Sequence, residues 1–265
     1  MTKAAILDID GVAFPMKKQF VKFIDVPEYR ELLGDNLIDE FITSKASYIS
    51  HYLAHLKTVN KEKYIQHVTN IKKKIKIKHN PFFKTPEENL TLHLLRQFGD
   101  TDYFIDGCEP MIKAMNLYFK FSTIANQEEV KIIGATSRGY PSNPNWIYNN
   151  CFERTNEWNE EHNSLFDKIY FKEHGKKITV LDDIKKDFGI DQEDILCMVE
   201  DSAYELEDFL KRGITGVFIN EDKVYNAREK ENLKRKYPKT FKIAQNHTKA
   251  KEEVLNLYNI STQTK

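Results

Sequence analysis

The sequence predicts an α/β fold in which a doubly wound, Rossmann-like parallel sheet carries an inserted all-helical domain. Four short runs of consecutive apolar residues favour strands, because runs without alternation are typical of strands buried on both faces of a parallel sheet. These runs are Ala4 to Leu7, Val130 to Ala135, Ile195 to Val199 and Gly216 to Ile219. An amphipathic helical pattern precedes each of the last three runs, and such alternation indicates right-handed crossovers between parallel strands.

Residues 15–104 interrupt this alternation and predict an insert made of helices. One helical face runs through Ile42, Ala46, Ile49, Leu53 and Leu56, and a second runs through Tyr64, Val68, Ile71 and Ile75. A third helix is predicted to begin at residues 85–88, where a threonine N-cap, a proline and a glutamate form a capping box. The insert therefore separates the first strand from the rest of the sheet.

The length of 265 residues suits one sizeable core that carries such an insert. The predicted organisation is a core formed by residues 1–18 and 105–225, a helical cap at 19–104, and a helical C-terminal tail at 226–265.

Composition argues for a soluble protein of a reduced compartment. The 40 basic and 40 acidic residues cancel, so no overall field attracts nucleic acid or a membrane surface. No apolar run approaches the roughly 20 residues that a membrane-spanning helix needs. Cys108, Cys151 and Cys197 are scattered without metal-ligand or redox spacing. We therefore expect a cytoplasmic protein that does not bind membranes.

Polar side chains follow three of the four predicted strands. They are Asp8 and Asp10 after the first, Thr136, Ser137 and Arg138 after the second, and Glu200 and Asp201 after the third. In an open parallel sheet, ligands bind beyond the carboxyl ends of the strands, near the point where the strand order reverses. We therefore expect these groups to meet at one edge of the sheet.

This set of side chains predicts magnesium and phosphate chemistry. Asp8 and Asp10 lie two residues apart in an extended segment, so their carboxylates repel unless a cation or a proton compensates. Hard oxygen ligands suit Mg²⁺, which usually takes one or two carboxylates together with phosphate oxygens and water. A second positive group should balance the remaining phosphate charge. Lys176 and Lys177 are both placed to supply it, and the sequence leaves the choice between them open.

The motifs resemble those of the haloacid dehalogenase (HAD) superfamily. Leu7-Asp-Ile-Asp-Gly-Val12 resembles motif I, Ile132-Ile-Gly-Ala-Thr-Ser-Arg138 resembles motif II, and Val199-Glu-Asp-Ser202 is similar to motif IV. The interval from Lys176 or Lys177 to Asp201 is similar to that between motifs III and IV. The resemblance covers about residues 1–18 and 105–220 and does not extend to the insert or the tail.

The resemblance implies a magnesium-dependent phosphohydrolase that forms an aspartyl-phosphate intermediate. Asp8 would be the nucleophile and Asp10 the general acid and base. Thr136 would donate to the transferring phosphoryl group, with Ser137 and Arg138 as further substrate-binding residues. Lys176 or Lys177 would be the catalytic lysine. Asp201 would bind Mg²⁺ together with Asp8 and the main-chain carbonyl of Asp10, and Glu200 would be a second acidic ligand or would orient the water on the metal.

The same resemblance bears on the substrate. The helical insert is similar to a type 1 cap, which implies a small soluble phosphomonoester such as a nucleotide or a sugar phosphate. A phosphomutase would use the same Asp8 and Asp10. A polynucleotide-end phosphatase could use the basic stretch Asn70 to His79, but no stacking aromatic residues interleave this stretch, so nucleic acid is not favoured. The sequence predicts neither the identity of the substrate nor the oligomeric state.

Overall fold

The computed structural model of the protein describes residues 2–13, 16–74, 94, 109–137, 151–172, 176–220 and 227–263. The chain divides into two compact units. The first contains residues 1–15, 107–221 and 226–265, and the second contains residues 16–106 and 222–225.

The first unit contains a six-stranded parallel sheet with the strand order β3-β2-β1-β4-β5-β6. The strands are β1 (Thr2–Leu7), β2 (Glu129–Thr136), β3 (Lys168–Phe171), β4 (Ile195–Glu200), β5 (Gly216–Ile219) and β6 (Phe241–Ala244). From β1 the chain adds β2 and β3 on one side, and β4, β5 and β6 then extend the sheet on the other. The strand order therefore reverses between β1 and β4, and this confirms the predicted doubly wound fold class.

The described residues form helices in both units. They are α1 (Met16–Ile24), α2 (Pro27–Leu33), α3 (Asp35–Thr43), α4 (Ile49–Val59), α5 (Lys61–Lys74), α6 (Glu109–Asn126), α7 (Cys151–Glu161), α8 (Leu181–Phe188), α9 (Ala203–Lys211), α10 (Ala227–Lys236) and α11 (His247–Gln263). Two short 3₁₀ helices, Lys177–Val180 and Gln192–Asp194, precede α8 and β4. No described helix combines the length and the apolar character that crossing a membrane requires.

Burial of the central strand explains why its sequence is uniformly apolar. Ala4, Ala5, Ile6 and Leu7 are all fully buried. Ala4 and Ile6 belong to a core cluster that also contains buried residues of α8, α9 and α10. The other face of the sheet is covered by α6 and α11, which pack on β2 and on β4 to β6. A strand covered on both faces has no position for an exposed polar residue, so the run is continuous.

In the second unit, the predicted helical face from Ile42 to Leu56 is wrong as one continuous helix. The helix is interrupted between α3 and α4. The ammonium group of Lys17 donates to the carbonyl oxygens of Phe41 and Ala46, each at 2.7 Å, and the Ala46 N–H donates to Ser44 Oγ at 3.2 Å. Phe41 lies in the last turn of α3, where carbonyl groups lack intrahelical partners, and Lys17 supplies a donor there. The bonds to Ala46 hold the turn that follows. The third predicted helix, beginning at 85–88, lies outside the described residues.

Residues 226–265 are not only a helical tail, because they also contribute β6. This strand pairs in parallel with β5 at the edge of the sheet. The following helix α11 is fixed to the core through Tyr258, which is 1% exposed and packs its ring edge-on against Phe119 at 5.5 Å between centroids. Near the end of α11, Lys3 Nζ donates to Ser261 Oγ at 2.6 Å. The C-terminal residues therefore complete the core of the first unit.

We predict that Tyr258→Ala lowers the free energy of unfolding by about 3 kcal/mol or more, because it removes a large buried side chain and leaves a cavity. Ile260→Ala, on the same helix but 60% exposed, should change it by less than about 0.5 kcal/mol. Urea unfolding followed by circular dichroism measures both. Equal losses in the two variants would show that α11 does not pack as described.

Candidate active site

The site is built where β1, β2 and β4 end side by side. Asp8 follows the last residue of β1, Thr136 is the last residue of β2, and Glu200 is the last residue of β4. The Asp8 N–H donates to the carbonyl oxygen of Val199 at 2.9 Å, so the ends of β1 and β4 are joined by a backbone hydrogen bond. The structure thus brings together residues that are nearly 200 positions apart in the chain.

A buried lysine lies between two of the predicted carboxylates. Lys177 Nζ is 2.6 Å from Asp8 Oδ1 and 2.8 Å from Glu200 Oε2. Lys177 and Asp8 are each 4% exposed, and Glu200 is fully buried. Asp8 Oδ1 also accepts the N–H of Ile9 at 2.7 Å, which fixes the orientation of the carboxylate.

The structure separates the two adjacent candidate lysines. Lys176 Nζ points to α9, where it forms an ion pair with Asp208 Oδ2 at 2.8 Å and donates to the carbonyl oxygen of Tyr204 at 3.1 Å. It also lies over the ring of Tyr204, 3.6 Å from its centroid. Lys177, by contrast, contacts Asp8 directly. Of the two, Lys177 is therefore the residue with the geometry of the expected catalytic lysine.

Glu200 uses both of its oxygens within the protein. Oε2 accepts from Lys177, and Oε1 accepts the N–H groups of Asp201 and Ser202 at 3.2 and 3.1 Å. The Ser202 side chain then caps α9 by accepting the N–H of Glu205 at 3.4 Å. Glu200 is therefore held by the turn that follows β4 and in turn holds Lys177.

Three carboxylates form a compact acidic cluster. One oxygen each from Asp8, Glu200 and Asp201 lie within 4.8 Å of one another. Burial, and then the charge of Glu200, raise the pKa of Asp8 well above its ordinary value. Burial raises the pKa of Glu200 to about 7, and burial together with the charge of Asp8 raises the pKa of Asp201 to about 7. The ionised forms of these three carboxyl groups are therefore disfavoured by burial and mutual repulsion, and a nearby cation would offset this free-energy cost.

The charge on Lys177 compensates only part of this cluster. Burial alone would lower the pKa of Lys177, but the charges of Asp8 and Glu200 outweigh it and raise that pKa above its ordinary value. Lys177 therefore stays protonated and brings one positive charge to three carboxyl groups. Close oxygen ligands with excess negative charge are the donor set that hard divalent cations prefer, so these residues fit such an ion.

Gly11 is required by the approach of Asp201 to the turn after β1. Its φ is +78°, in the left-handed region that glycine adopts without strain. A Cβ atom at this position would overlap with Oδ2 of Asp201. The glycine of the Asp-x-Asp-Gly motif therefore makes room for the third carboxylate of the cluster.

The remaining predicted site residues lie at the same edge or outside the described part. Asp10 is half-buried, and its charge adds to the rise in the pKa of both Asp8 and Asp201. Thr136 is 1% exposed, and Ser137 is half-buried at the end of β2. Arg138 lies outside the described residues.

Glu205 belongs to this arrangement but was not among the predicted site residues. Its Oε2 accepts the backbone N–H of Lys177 at 2.8 Å, and its Oε1 forms an ion pair with Lys172 Nζ at 2.8 Å. In the sequence, Ser202 and Glu205 have the spacing of a capping box, a local signal for the start of a helix. That signal accounts for Glu205 by local structure alone and gives no indication of its contact with Lys177.

Comparisons with known proteins find similarity in structure but not in sequence. No protein-family model matches the chain, and no curated protein matches it. A phosphonoacetaldehyde hydrolase-like protein from Oleispira antarctica is 12% identical, with 99% of this chain and 95% of that chain covered, at a TM-score of 0.50. A predicted phosphatase from Clostridium acetobutylicum is 13% identical, with 96% and 98% covered, at a TM-score of 0.43. A haloacid dehalogenase-like family hydrolase from Streptococcus pneumoniae is 11% identical, with 97% and 98% covered, at 0.38.

The fold of this chain is similar to that of the phosphonoacetaldehyde hydrolase-like protein. It has the doubly wound parallel sheet that the resemblance to the haloacid dehalogenase superfamily implies. The resemblance predicted from the motifs is confirmed at the level of the fold. Because the identities are only 11% to 13%, this likeness concerns the fold alone.

We predict that a divalent cation stabilises the folded protein through the acidic cluster. A ligand that binds only the folded state adds about 2.7 kcal/mol at 100 times its Kd, so the unfolding temperature should rise with cation concentration. Asp201→Asn should largely remove this rise. Asp208→Asn is a matched control, because Asp208 is an acidic residue of the neighbouring helix that pairs with Lys176 and lies outside the cluster. Thermal unfolding with and without MgCl₂ measures both, and an unchanged rise in Asp201→Asn would contradict the assignment.

Proposed function

We propose that the protein is a magnesium-dependent phosphatase that hydrolyses a phosphomonoester through an aspartyl-phosphate intermediate. The observation that carries the proposal is the position of Asp8. It directly follows the central strand at the reversal of strand order, and its carboxylate is fixed by Lys177 and the Ile9 N–H. Two further carboxylates lie beside it. Ligands of open α/β sheets bind at such a reversal point.

The residues suit Mg²⁺ as the divalent cation. Mg²⁺ prefers one or two carboxylates, with phosphate oxygens and water filling the remaining positions. Asp8 and Asp201 would hold it, with the main-chain carbonyl of Asp10. Both oxygens of Glu200 already accept hydrogen bonds from Lys177 and from backbone N–H groups, which favours Glu200 as an orienting residue over a direct ligand. The ion would supply positive charge between an anionic nucleophile and an anionic substrate.

The proposed chemistry assigns different tasks to the two aspartates. An oxygen of Asp8 attacks the phosphorus atom, the bond from phosphorus to the leaving oxygen breaks, and Asp10 gives that oxygen a proton. Water then attacks the phosphorus of the aspartyl phosphate while Asp10 takes a proton from it. The bond between Asp8 and phosphorus breaks, which releases inorganic phosphate and restores both carboxyl groups.

Lys177 supports the nucleophile in this scheme. The burial that raises the pKa of Asp8 favours its protonated form, which cannot attack phosphorus. The positive charge of Lys177 acts in the opposite direction and favours the carboxylate. Beside the reacting atoms, the same charge stabilises negative charge on the phosphoryl group in the transition state. Thr136, at the end of the neighbouring strand, would donate its hydroxyl to that group.

A small soluble phosphomonoester, such as a nucleotide or a sugar phosphate, is the proposed substrate class. Between Met16 and Lys74 the second unit forms the five helices α1 to α5, in keeping with the insert expected of a type 1 cap. The lysine-rich stretch behind the polynucleotide alternative is described only as far as Lys74, at the end of α5, and its remaining residues lie outside the described part. Within the described residues, no contact or charge cluster favours the polynucleotide alternative or the phosphomutase.

We predict that Asp8→Asn lowers the rate of hydrolysis of p-nitrophenyl phosphate with Mg²⁺ by about 10⁴-fold or more, because it removes the nucleophile. The fold should persist, since Asn is close in size and Lys177 keeps its contact with Glu200. Asp182→Asn, at an exposed position of α8, is the control and should retain full activity. The assay is the initial rate of nitrophenol release. Activity of Asp8→Asn within tenfold of the wild type would refute the mechanism.

We predict opposite results for the two adjacent lysines. Lys177→Met should lower kcat by about 10²- to 10³-fold, the usual loss when one preorganised electrostatic group is removed from a reacting centre. Lys176→Met should leave kcat within about twofold, because its ammonium group contacts Asp208 and Tyr204 instead. Steady-state kinetics of both variants, with circular dichroism to verify folding, provide the comparison. A larger loss in Lys176→Met than in Lys177→Met would reverse the assignment.

A further inference from the structure

Glu205 binds both the backbone of Lys177 and the side chain of Lys172. It lies in the first turn of α9 and is 8% exposed. Its two carboxylate oxygens have different partners: Oε2 accepts the backbone N–H of Lys177, and Oε1 pairs with the ammonium group of Lys172, both at 2.8 Å. Buried carboxylates are retained only when their charge and their lone pairs are satisfied, and here both are.

These two contacts lie on either side of one short stretch of chain. Lys172 directly follows β3, and its N–H donates to the carbonyl oxygen of Thr136 at 3.0 Å, so this side is anchored to the sheet. Lys177 begins the 3₁₀ helix that leads into α8. A single carboxylate of α9 therefore joins the end of β3 to the start of that helix, and it fixes the point at which the Lys177 side chain leaves the backbone.

The position of the Lys177 backbone matters because its ammonium group has to reach two carboxylates at once. Lys177 Nζ lies within 3 Å of both Asp8 Oδ1 and Glu200 Oε2. A lysine side chain has several rotatable bonds, so a shift of its Cα atom changes which oxygen the ammonium group can reach. The backbone N–H of Lys177 stands at the start of a helix, where no intrahelical acceptor is available. Glu205 supplies that acceptor.

Glu200 and Glu205 hold the same lysine from one continuous segment. Glu200, at the end of β4, binds the ammonium group, and Glu205, five residues later, binds the backbone N–H. The turn between them also contains Asp201 of the acidic cluster and the Ser202 cap. A substitution at Glu205 should therefore change the position of the Lys177 ammonium group and leave the side chains of Glu200, Asp8 and Asp201 in place.

We propose that Glu205 is a positioning residue that sets the placement of Lys177 against Asp8 by holding the Lys177 backbone. It touches neither the reacting atoms nor the acidic cluster, and it acts through the lysine. The inference rests on the proposed phosphatase function, since the placement of Lys177 has a measurable catalytic effect only if Asp8 is the nucleophile.

The first experiment compares Glu205→Ala with Glu207→Ala. Glu207 is the matched control, because it lies on the same helix and forms an ion pair with Lys236 at 2.6 Å, away from Lys177. Glu205→Ala should lower kcat for p-nitrophenyl phosphate by about 10- to 100-fold, the loss expected when a catalytic group is displaced by about 1 Å, with KM within about threefold. Hydrogen exchange at the Lys177 amide should accelerate at least tenfold. Glu207→Ala should change neither quantity by more than twofold.

The second experiment uses glutamine to separate the two contacts of Glu205. In Glu205→Gln, one oxygen must serve two donors, and the new NH₂ group faces a donor. Removing the ammonium group with Lys172→Met frees that oxygen for the Lys177 N–H. The double variant should therefore have a higher kcat than Glu205→Gln alone. A general loss of stability would not produce such a recovery. If Glu205→Ala does not fold, the comparison of Glu205→Gln with the double variant tests the positioning role.

The outcomes separate the positioning role from the proposed function. Faster exchange at Lys177 with kcat unchanged in Glu205→Ala overturns the inference, as does an equal fall in kcat in Glu207→Ala or a double variant no faster than Glu205→Gln. If the wild-type protein hydrolyses no phosphomonoester, the proposed function fails. The exchange measurement then decides the placement alone: acceleration at the Lys177 amide in Glu205→Ala supports it, and unchanged exchange overturns it.

Discussion

The ion pairs of Lys177 with Asp8 and Glu200 are the interaction on which the candidate site depends. Opposite unit charges about 4 Å apart attract by on the order of 4 kcal/mol at an effective dielectric constant of 20, and like charges repel equally. Asp8 and Glu200 are both almost fully buried, so each also loses hydration. The ammonium group between them offsets part of both costs, since the pKa values of Asp8 and Glu200 remain above their ordinary values. Without it, the protonated forms of these two adjacent carboxyl groups would be favoured further.

The backbone of the parallel sheet fixes the positions of these groups. Asp8 and Glu200 end adjacent parallel strands that are joined by the hydrogen bond from the Asp8 N–H to Val199, and Gly11 leaves the space that Asp201 occupies. One ammonium group does not balance three carboxyl groups. The remaining negative charge favours a divalent cation at this cluster. The same burial that makes the carboxylate charges costly also strengthens the electrostatic contacts within the cluster. The burial of the strand ends therefore affects both the electrostatic cost of the cluster and its fit to a divalent cation.

Local patterns predicted much of this fold, and the misses have physical reasons. β1, β2, β4 and β5 were recognisable because interior strands are uniformly apolar. β3 and β6 were not, because each has only four residues, includes a lysine and lies at an edge of the sheet. Asp8, Thr136, Glu200 and Asp201 could be predicted to lie at one edge of the sheet because each directly follows or ends its strand. The choice between Lys176 and Lys177 could not be made, since neighbouring residues differ in direction only once the helix start is placed. The break after α3 depends on Lys17, at least 24 residues away along the chain.

The segment from Glu200 to Glu205 shows how one stretch of sequence can serve local and distant structure at once. By local rules it is the end of a strand followed by a capped helix. The expected reciprocal bond of a capping box would join Glu205 to the Ser202 N–H, but that N–H donates to Glu200 instead. Glu205 is thereby available to Lys172 and Lys177, which belong to another part of the chain. The Ser202 N–H thus keeps an acceptor in Glu200 while Glu205 binds the backbone of Lys177, and the turn that starts α9 also holds the lysine that faces Asp8.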